Sequence, residues 1–189
     1  MLGANVESKT RCADFQAVAR LAAALGARYE GRLEQVDTYF YVSRGRLKLR
    51  EISHRAPDGR VSVSSELIRY ERPDESGARV SRYERTEIGD VESCRTRLEA
   101  EHGVRGQVKK QRDLWTLDST RIHLDSVECL GDFVELETVC AGTPGPSDRL
   151  EHDRLSSALG LDPRATVEGS YIDLLDARSG IDAPSSVPP

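Results

Sequence analysis

The feature that most narrows how this chain can fold is a period-two alternation that puts charge on one face of nearly every strand-like segment. In a β-strand successive side chains point to opposite faces, so residues two apart share a face. On that rule Asn5, Glu7, Lys9 and Arg11 share a face, as do Arg46, Lys48 and Arg50 in RLKLREI. Lys110 and Arg112 share one in VKKQRDLW, and Arg121, His123 and Asp125 share one in RIHLDSVE. Phe133, Glu135 and Glu137 follow after a Leu-Gly turn, and Tyr70 with Arg72 and Tyr83 with Arg85 and Glu87 repeat the mixture in mid-chain. Taken singly, each such face reads as the solvent side of a sheet. Their recurrence points to one shared polar interior.

A closed or strongly curved antiparallel sheet has no free edges, and its interior can stay wet and polar while helices cover its outside. The order of segments agrees. A strand over about Asn5 to Cys12 precedes a helix, FQAVARLAAAL, with Asp14 as N-cap and Gly26 at its end. VDTYFYV, RLKLREI, VSVSSELIRYER and RVSRYERTEI then read as strands joined by the short turns SRG, APDG and PDESG, which favours antiparallel neighbours. A helix near Val91 to Glu101, strands in GQVKKQRDLWTL, TRIHLDSVE and DFVELETV, a helix opening near Ser147 and a short one within Val167 to Leu175 complete the pattern. The absence of a parallel βαβ rhythm makes the class α+β. The 189 residues suit a single domain, here 1–178, and the Pro/Ser-rich stretch 179–189 reads as a disordered tail.

A formal net charge of -5 offers no global attraction for nucleic acid or an anionic membrane, so neither is expected as a partner. No apolar run approaches the roughly 18 residues of a membrane span, and the N-terminus lacks a secretory pattern. Cys12, Cys94, Cys129 and Cys140 form no CxxC pair and read as free thiols, which makes a cytoplasmic location the expectation. Any polyanion chemistry must therefore come from local clustering. Lysines and arginines converging on one lumen repel one another unless an anion is bound, so a polyphosphate is the natural guest. The carboxylates among them suit a divalent cation that bridges to phosphate, and oxygen ligation suits magnesium or manganese.

Glu7-Ser8-Lys9, DTYF (Asp37 to Phe40), LKLRE (Leu47 to Glu51), YERPD (Tyr70 to Asp74), Lys110 with Arg112, and IHLDSVECLGDFVELE together resemble the CYTH superfamily. These triphosphate tunnel metalloenzymes include class IV adenylate cyclases, thiamine triphosphatases and inorganic triphosphatases. The likeness covers nearly the whole chain and is nearest to the class IV cyclase-like members. It implies a closed eight-stranded antiparallel β tunnel with covering helices, a basic grip on a triphosphate, and Mg2+ or Mn2+ held by carboxylates. Carried over by position, Glu7, Glu135, Glu137 and Asp125 are the implied metal ligands. Lys9, Arg11, Lys48, Arg50, Arg72, Arg85, Lys110, Arg112, Arg121 and His123 are the implied triphosphate contacts, and Glu7, Lys9, Arg50 and Asp125 the implied catalytic set. One departure stands out: the usual first-strand signature Glu-x-Glu-x-Lys has Asn5 at its first position here, which keeps a carbonyl ligand and removes a negative charge.

The resemblance implies conversion of ATP to cyclic AMP and pyrophosphate, with hydrolysis of thiamine triphosphate or tripolyphosphate as the alternative. A triphosphate-binding module without turnover is a third reading, favoured by Asn5, and a plain sheet with an outward polar face and a protein partner is a fourth. A homodimer is the expected assembly. Trp115 reads as packing at a strand end, Asp37 as either a turn cap or a metal contact, and Glu51, out of phase with Lys48 and Arg50, as outside the lumen. Tyr39 and Tyr41 share a face and either line the mouth or pack beneath a helix.

Overall fold

A computed structural model describes residues 2–71 and 78–180. Arg72 and most of the expected tail lie outside the described residues. The strands are β1 (Leu2–Arg11), β2 (Arg28–Phe40), β3 (Arg46–Arg55), β4 (Val61–Glu71), β5 (Arg79–Glu87), β6 (Val104–Leu117), β7 (Thr120–Val127) and β8 (Gly131–Cys140). The helices are α1 (Phe15–Ala24), α2 (Val91–His102), α3 (Pro146–Ala158) and α4 (Tyr171–Ser179).

The strands close into an antiparallel barrel in the order β1-β5-β4-β3-β2-β6-β7-β8, with β8 returning to β1. Closure leaves no unpaired edge among the described strands, and it permits a charged inner face because much of the apolar outer surface is buried under helices, though Val61 and Val63 of β4 stay exposed. Val18 and Ala22 of α1 and Leu155 and Leu159 nearby pack on Ile122, Leu124, Val134 and Leu136 of β7 and β8. Cys94 and Leu98 of α2 cover Phe40, Leu47 and Leu49 of β2 and β3. Asp14 caps α1 as expected, accepting a hydrogen bond from the Ala17 amide at 2.9 Å.

β2 begins much earlier than the sequence suggested, at Arg28. Its register with β6 shifts between Tyr29 and Gly31, and Gly31 has φ +118, close beside the Arg55 carbonyl. Such an irregularity breaks period-two alternation, and it needs a residue without a Cβ.

The fourth helix shuts one end of the barrel. Tyr171 and Ile172 join Tyr39, Tyr70, Val108, Val127 and Phe133 in a buried cluster at the end where β1 and β7 finish and β3 and β6 begin. Asp173 holds this plug to the rim through Arg46 and Arg105, each at 2.7 Å, and Asp176 pairs with Arg105 at 2.6 Å. Burial works to raise the Asp173 carboxyl, but hydrogen bonds from Ser170 and the Arg46 charge hold it far below the usual carboxylate range. No helix among the described residues is long and apolar enough to cross a membrane.

Candidate active site

Inside the barrel is a cavity of about 310 Å³, lined by alternate residues of all eight strands and floored by Ser170 and Tyr171. Exposure grades along it. The side chains of Lys9 and Lys110 are 2% exposed near the plug, whereas those of Arg85 and Arg121 are 31% and 32% exposed at the other end, which is the mouth.

One wall is a cation cluster with a single counter-charge. Asp37 accepts from Arg50 at 2.6 and 2.8 Å and from Lys48 at 2.8 Å, and Lys110 stands 3.4 Å away. Burial works to raise the Asp37 carboxyl, but the charges of Arg50, Lys110 and Lys48 overcome it and hold Asp37 well below its ordinary range. The lysines carry the cost of crowding: burial, then the Arg50 charge, lowers Lys48 to about 7. Burial also lowers Lys110, to about 8, despite the attraction of Asp37. Burial is the larger part of this depression and the guanidinium charges add to it; with Arg50, Lys48 and Lys110 sharing one carboxylate, a bound anion would relieve it.

The facing wall carries the acids. Glu7 and Glu137 are register partners across β1 and β8, and His123 and Glu135 across β7 and β8. Like charges set directly opposite are destabilising unless a counter-charge is shared. Part of that counter-charge is internal: Lys9 lies 3.2 Å from Glu135, Arg112 2.8 Å from Glu135, Arg121 3.2 Å from Glu137, and Arg79 3.6 Å from Glu7. Burial pushes His123 below its ordinary value and the Arg112 charge adds to the shift, so its ring is neutral near pH 7. Glu135 and Glu137 sit below their usual range: Lys9, a His123 hydrogen bond and Arg112 at Glu135, and at Glu137 the His123 ring, charged at the acid pH where carboxylates titrate, with Arg112, outweigh burial.

One ligand atom from each of His123, Glu135 and Glu137 falls within 4.8 Å of the others. Two ionised carboxylates and a neutral imidazole make a donor set that fits a divalent cation. Two buried carbonyl oxygens in the same cavity, Asn5 Oδ1 and Gln35 Oε1, lack a hydrogen-bond partner among the described residues. Such groups are rarely left unpaired in a native fold unless something else satisfies them.

Most sequence-implied residues meet in this cavity: Glu7, Lys9, Lys48, Arg50, Arg85, Lys110, Arg112, Arg121, His123, Glu135 and Glu137 all line it. Two do not. Arg11, though in phase with Lys9, passes beyond the plug; it is exposed, stacks 4.9 Å from the Phe133 ring and donates to the Leu130 carbonyl at 3.3 Å. Asp125 is fully buried against the plug, with both oxygens taken by Arg112 at 2.6 Å and one also by the Tyr171 hydroxyl at 2.8 Å. It is not one of the three residues His123, Glu135 and Glu137, and its carboxylate holds Arg112 in place.

Asp37 is the shared counter-ion described above. Trp115 packs on Tyr29 at 5.0 Å, Tyr39 lines the cavity while Tyr41 is exposed, and Glu51 faces outward to Arg95 at 2.5 Å. Two contributors escaped sequence reasoning. Arg79 is in phase with Ser81, Tyr83 and Arg85 and could have been found by carrying the alternation one step back. Tyr171 sits on a helix, where no strand periodicity points to it; its ring lies 4.2 Å below the Lys9 ammonium and 5.3 Å from that of Lys110.

The fold is shared with solved structures. The PH1012 protein of Pyrococcus horikoshii OT3 superposes with a TM-score of 0.74 at 25% identity, covering 90% of this chain and 98% of that one. A candidate adenylate cyclase of Vibrio parahaemolyticus matches with a TM-score of 0.66 at 22% identity, over 91% and 97%. The Hippeastrum protein HpAC1, described as a candidate adenylyl cyclase with a dominant triphosphatase activity, matches with a TM-score of 0.58 at 15% identity, over 95% and 98%. No curated protein matches the chain. The CYTH domain family matches residues 3–163, a span that holds the eight strands save Leu2 and every strand-borne group of the cavity, and the chain belongs to that family.

Proposed function

We propose that the cavity binds the triphosphate of an organic triphosphate with a divalent cation and is an active site for its cleavage, with cyclisation of ATP to cyclic AMP and pyrophosphate as the leading reaction. The observation that carries this reading is the pairing, across one closed lumen, of an under-neutralised cation cluster with a carboxylate and imidazole group. Because the plug closes the floor, the terminal phosphate enters first, toward Lys48, Lys110 and Lys9, and the esterified phosphate stays nearer the mouth. Glu137 and Arg121 lie at that level, while Glu135, 3.2 Å from Lys9, lies nearer the terminal phosphate, so the carboxylate and imidazole group runs alongside the phosphates.

Cyclisation forms a bond from the ribose 3′-oxygen to the α-phosphorus and breaks the bond to the bridging oxygen, which leaves with pyrophosphate as the hydroxyl proton is lost. A bound divalent cation would neutralise charge on the phosphate oxygens. The chain itself needs no nucleophile; its lysines and arginines orient the phosphates, and positioning of this kind carries much of phosphoryl chemistry. Triphosphate hydrolysis is the second reading, supported by the activity described for the Hippeastrum protein of similar fold.

The test is product analysis of purified protein with ATP, thiamine triphosphate or tripolyphosphate and Mg2+ or Mn2+. Cyclic AMP with pyrophosphate is the expected product. Orthophosphate would move the assignment to hydrolysis, and tight binding without any product would leave a binding module in place of an enzyme.

A further inference from the structure

The inner face changes character at the mouth. Two residues toward the opening from Arg50 and Arg112, the alternation delivers Ile52 and Leu114 instead of further cations, and Leu33 lies between them on β2. The register fixes their neighbourhood. Leu33 pairs with His54 on one side and Arg112 on the other, so Ile52 and Leu114 are its two diagonal neighbours on the same face, within reach of long side chains. All three are partly exposed and line the cavity. The arc continues onto β4, where Glu66 pairs with Arg50 in register and lies 3.5 Å from Arg85. An apolar trio facing water at the rim of a charged lumen gains its stabilisation only when something covers it.

Depth decides what that cover is. Lys48 and Lys110 form one tier, Arg50 and Arg112 the next, and the trio the third, with two residues between tiers, or about 7 Å along a strand. With the floor closed by Tyr171, phosphates held on the two cationic tiers leave the group esterified to them at the third. Resting on the triphosphate reading above, we infer that Leu33, Ile52 and Leu114 form a specificity shelf for a flat heterocyclic group, and that the ligand is a heterocyclic organic triphosphate, not inorganic tripolyphosphate. Glu66, next on the arc, supplies a hydrogen-bond acceptor at the edge of the ring.

Calorimetric titration with Ca2+ in place of Mg2+, to hold back turnover, tests this with ATP, methyl triphosphate and tripolyphosphate. Methyl triphosphate has the charge and ester linkage of ATP but no ring. The wild type should bind ATP at least tenfold tighter than methyl triphosphate. Leu33→Ser and Leu114→Ser should each remove about tenfold of that preference, the loss expected for a few uncovered carbon atoms, while changing methyl triphosphate affinity less than about twofold; Leu33→Met should keep it. Equal wild-type affinities for ATP and methyl triphosphate overturn the shelf and leave the triphosphate site standing, and they do so without any variant having to fold. Serine variants that weaken both ligands alike also overturn it. Failure of all three ligands to bind overturns the triphosphate reading and the shelf with it.

Discussion

Replacing Asp37 by Asn is the sharpest probe of the cation cluster. The substitution keeps the shape and removes the one carboxylate that Arg50, Lys48 and Lys110 share at 2.6, 2.8 and 3.4 Å. Removing one partner of a buried ionic cluster typically costs about 3–5 kcal/mol, because the remaining charges stay buried and unpaired. For a domain of this size each kcal/mol moves the melting temperature by about 2–4 °C, so the loss should be on the order of 10 °C. The penalty must also depend on pH. Lys48 and Lys110 titrate near 7 and 8 with Asp37 in place, and lower without it. The difference is full where the lysines stay protonated in both proteins, below the lowered values they take in the variant, and it begins to narrow above those. As pH rises through 7 and 8 they lose their protons, the pairing they had with Asp37 disappears, and the gap narrows to the Arg50 contribution. Thermal unfolding followed by circular dichroism at pH 6 and pH 9 measures both effects, and added tripolyphosphate at pH 6 should restore more stability to the variant than to the wild type. A loss under about 2 °C, or one identical at the two pH values, would refute the crowded-cation account.

The depressed lysines also predict proton uptake on ligand binding: a phosphate raises both amines, so triphosphate affinity should be full below pH 7 and fall as pH rises through 7 and 8. Calorimetry at pH 8 in buffers of different ionisation enthalpy should register uptake, and none would count against Lys48 and Lys110 as phosphate contacts. Combined Glu135→Gln and Glu137→Gln substitution should abolish Mn2+ binding, read by electron paramagnetic resonance, with the barrel still folded; retained binding would move the cation elsewhere. Arg11→Ala should leave tripolyphosphate affinity within about twofold, whereas Arg50→Ala should cost tenfold or more, about 1.4 kcal/mol. An equal loss in both would return Arg11 to the lumen.

The alternation that made the charged lumen legible carries phase but not depth. Lys9 and Arg11 are two residues apart and identical in phase, yet one is buried against Tyr171 and the other lies past the plug. The dividing line is a helix that arrives from far along the chain, which no local pattern encodes. Asp125 stands apart from the His123, Glu135 and Glu137 group for a related reason: its phase is right, but its depth sets it against the plug, where Arg112 and the Tyr171 hydroxyl bond its oxygens. His123 was legible as a lumen residue, and its place in the ligand group follows only from the β7–β8 register that sets it opposite Glu135. Where the pattern itself broke, at the Gly31 irregularity, the start of β2 went unread. The helices were easier, since caps and breakers such as Asp14 and Gly103 are local signals.

The barrel closes by joining β1 to β8, and its floor arrives later still, with α4. Contacts that span most of a chain form slowly, because the entropy of closing so long a loop is lost before any pairing repays it. On a ribosome, which delivers the N-terminal strands first, Glu7 and Lys9 would therefore wait for Glu137, Glu135 and finally Tyr171 before they belong to a site. Until then the cation-rich strands are an open, charged sheet. Anions that bind the finished cavity would thus act as folding partners, pulling the last steps of assembly forward by mass action.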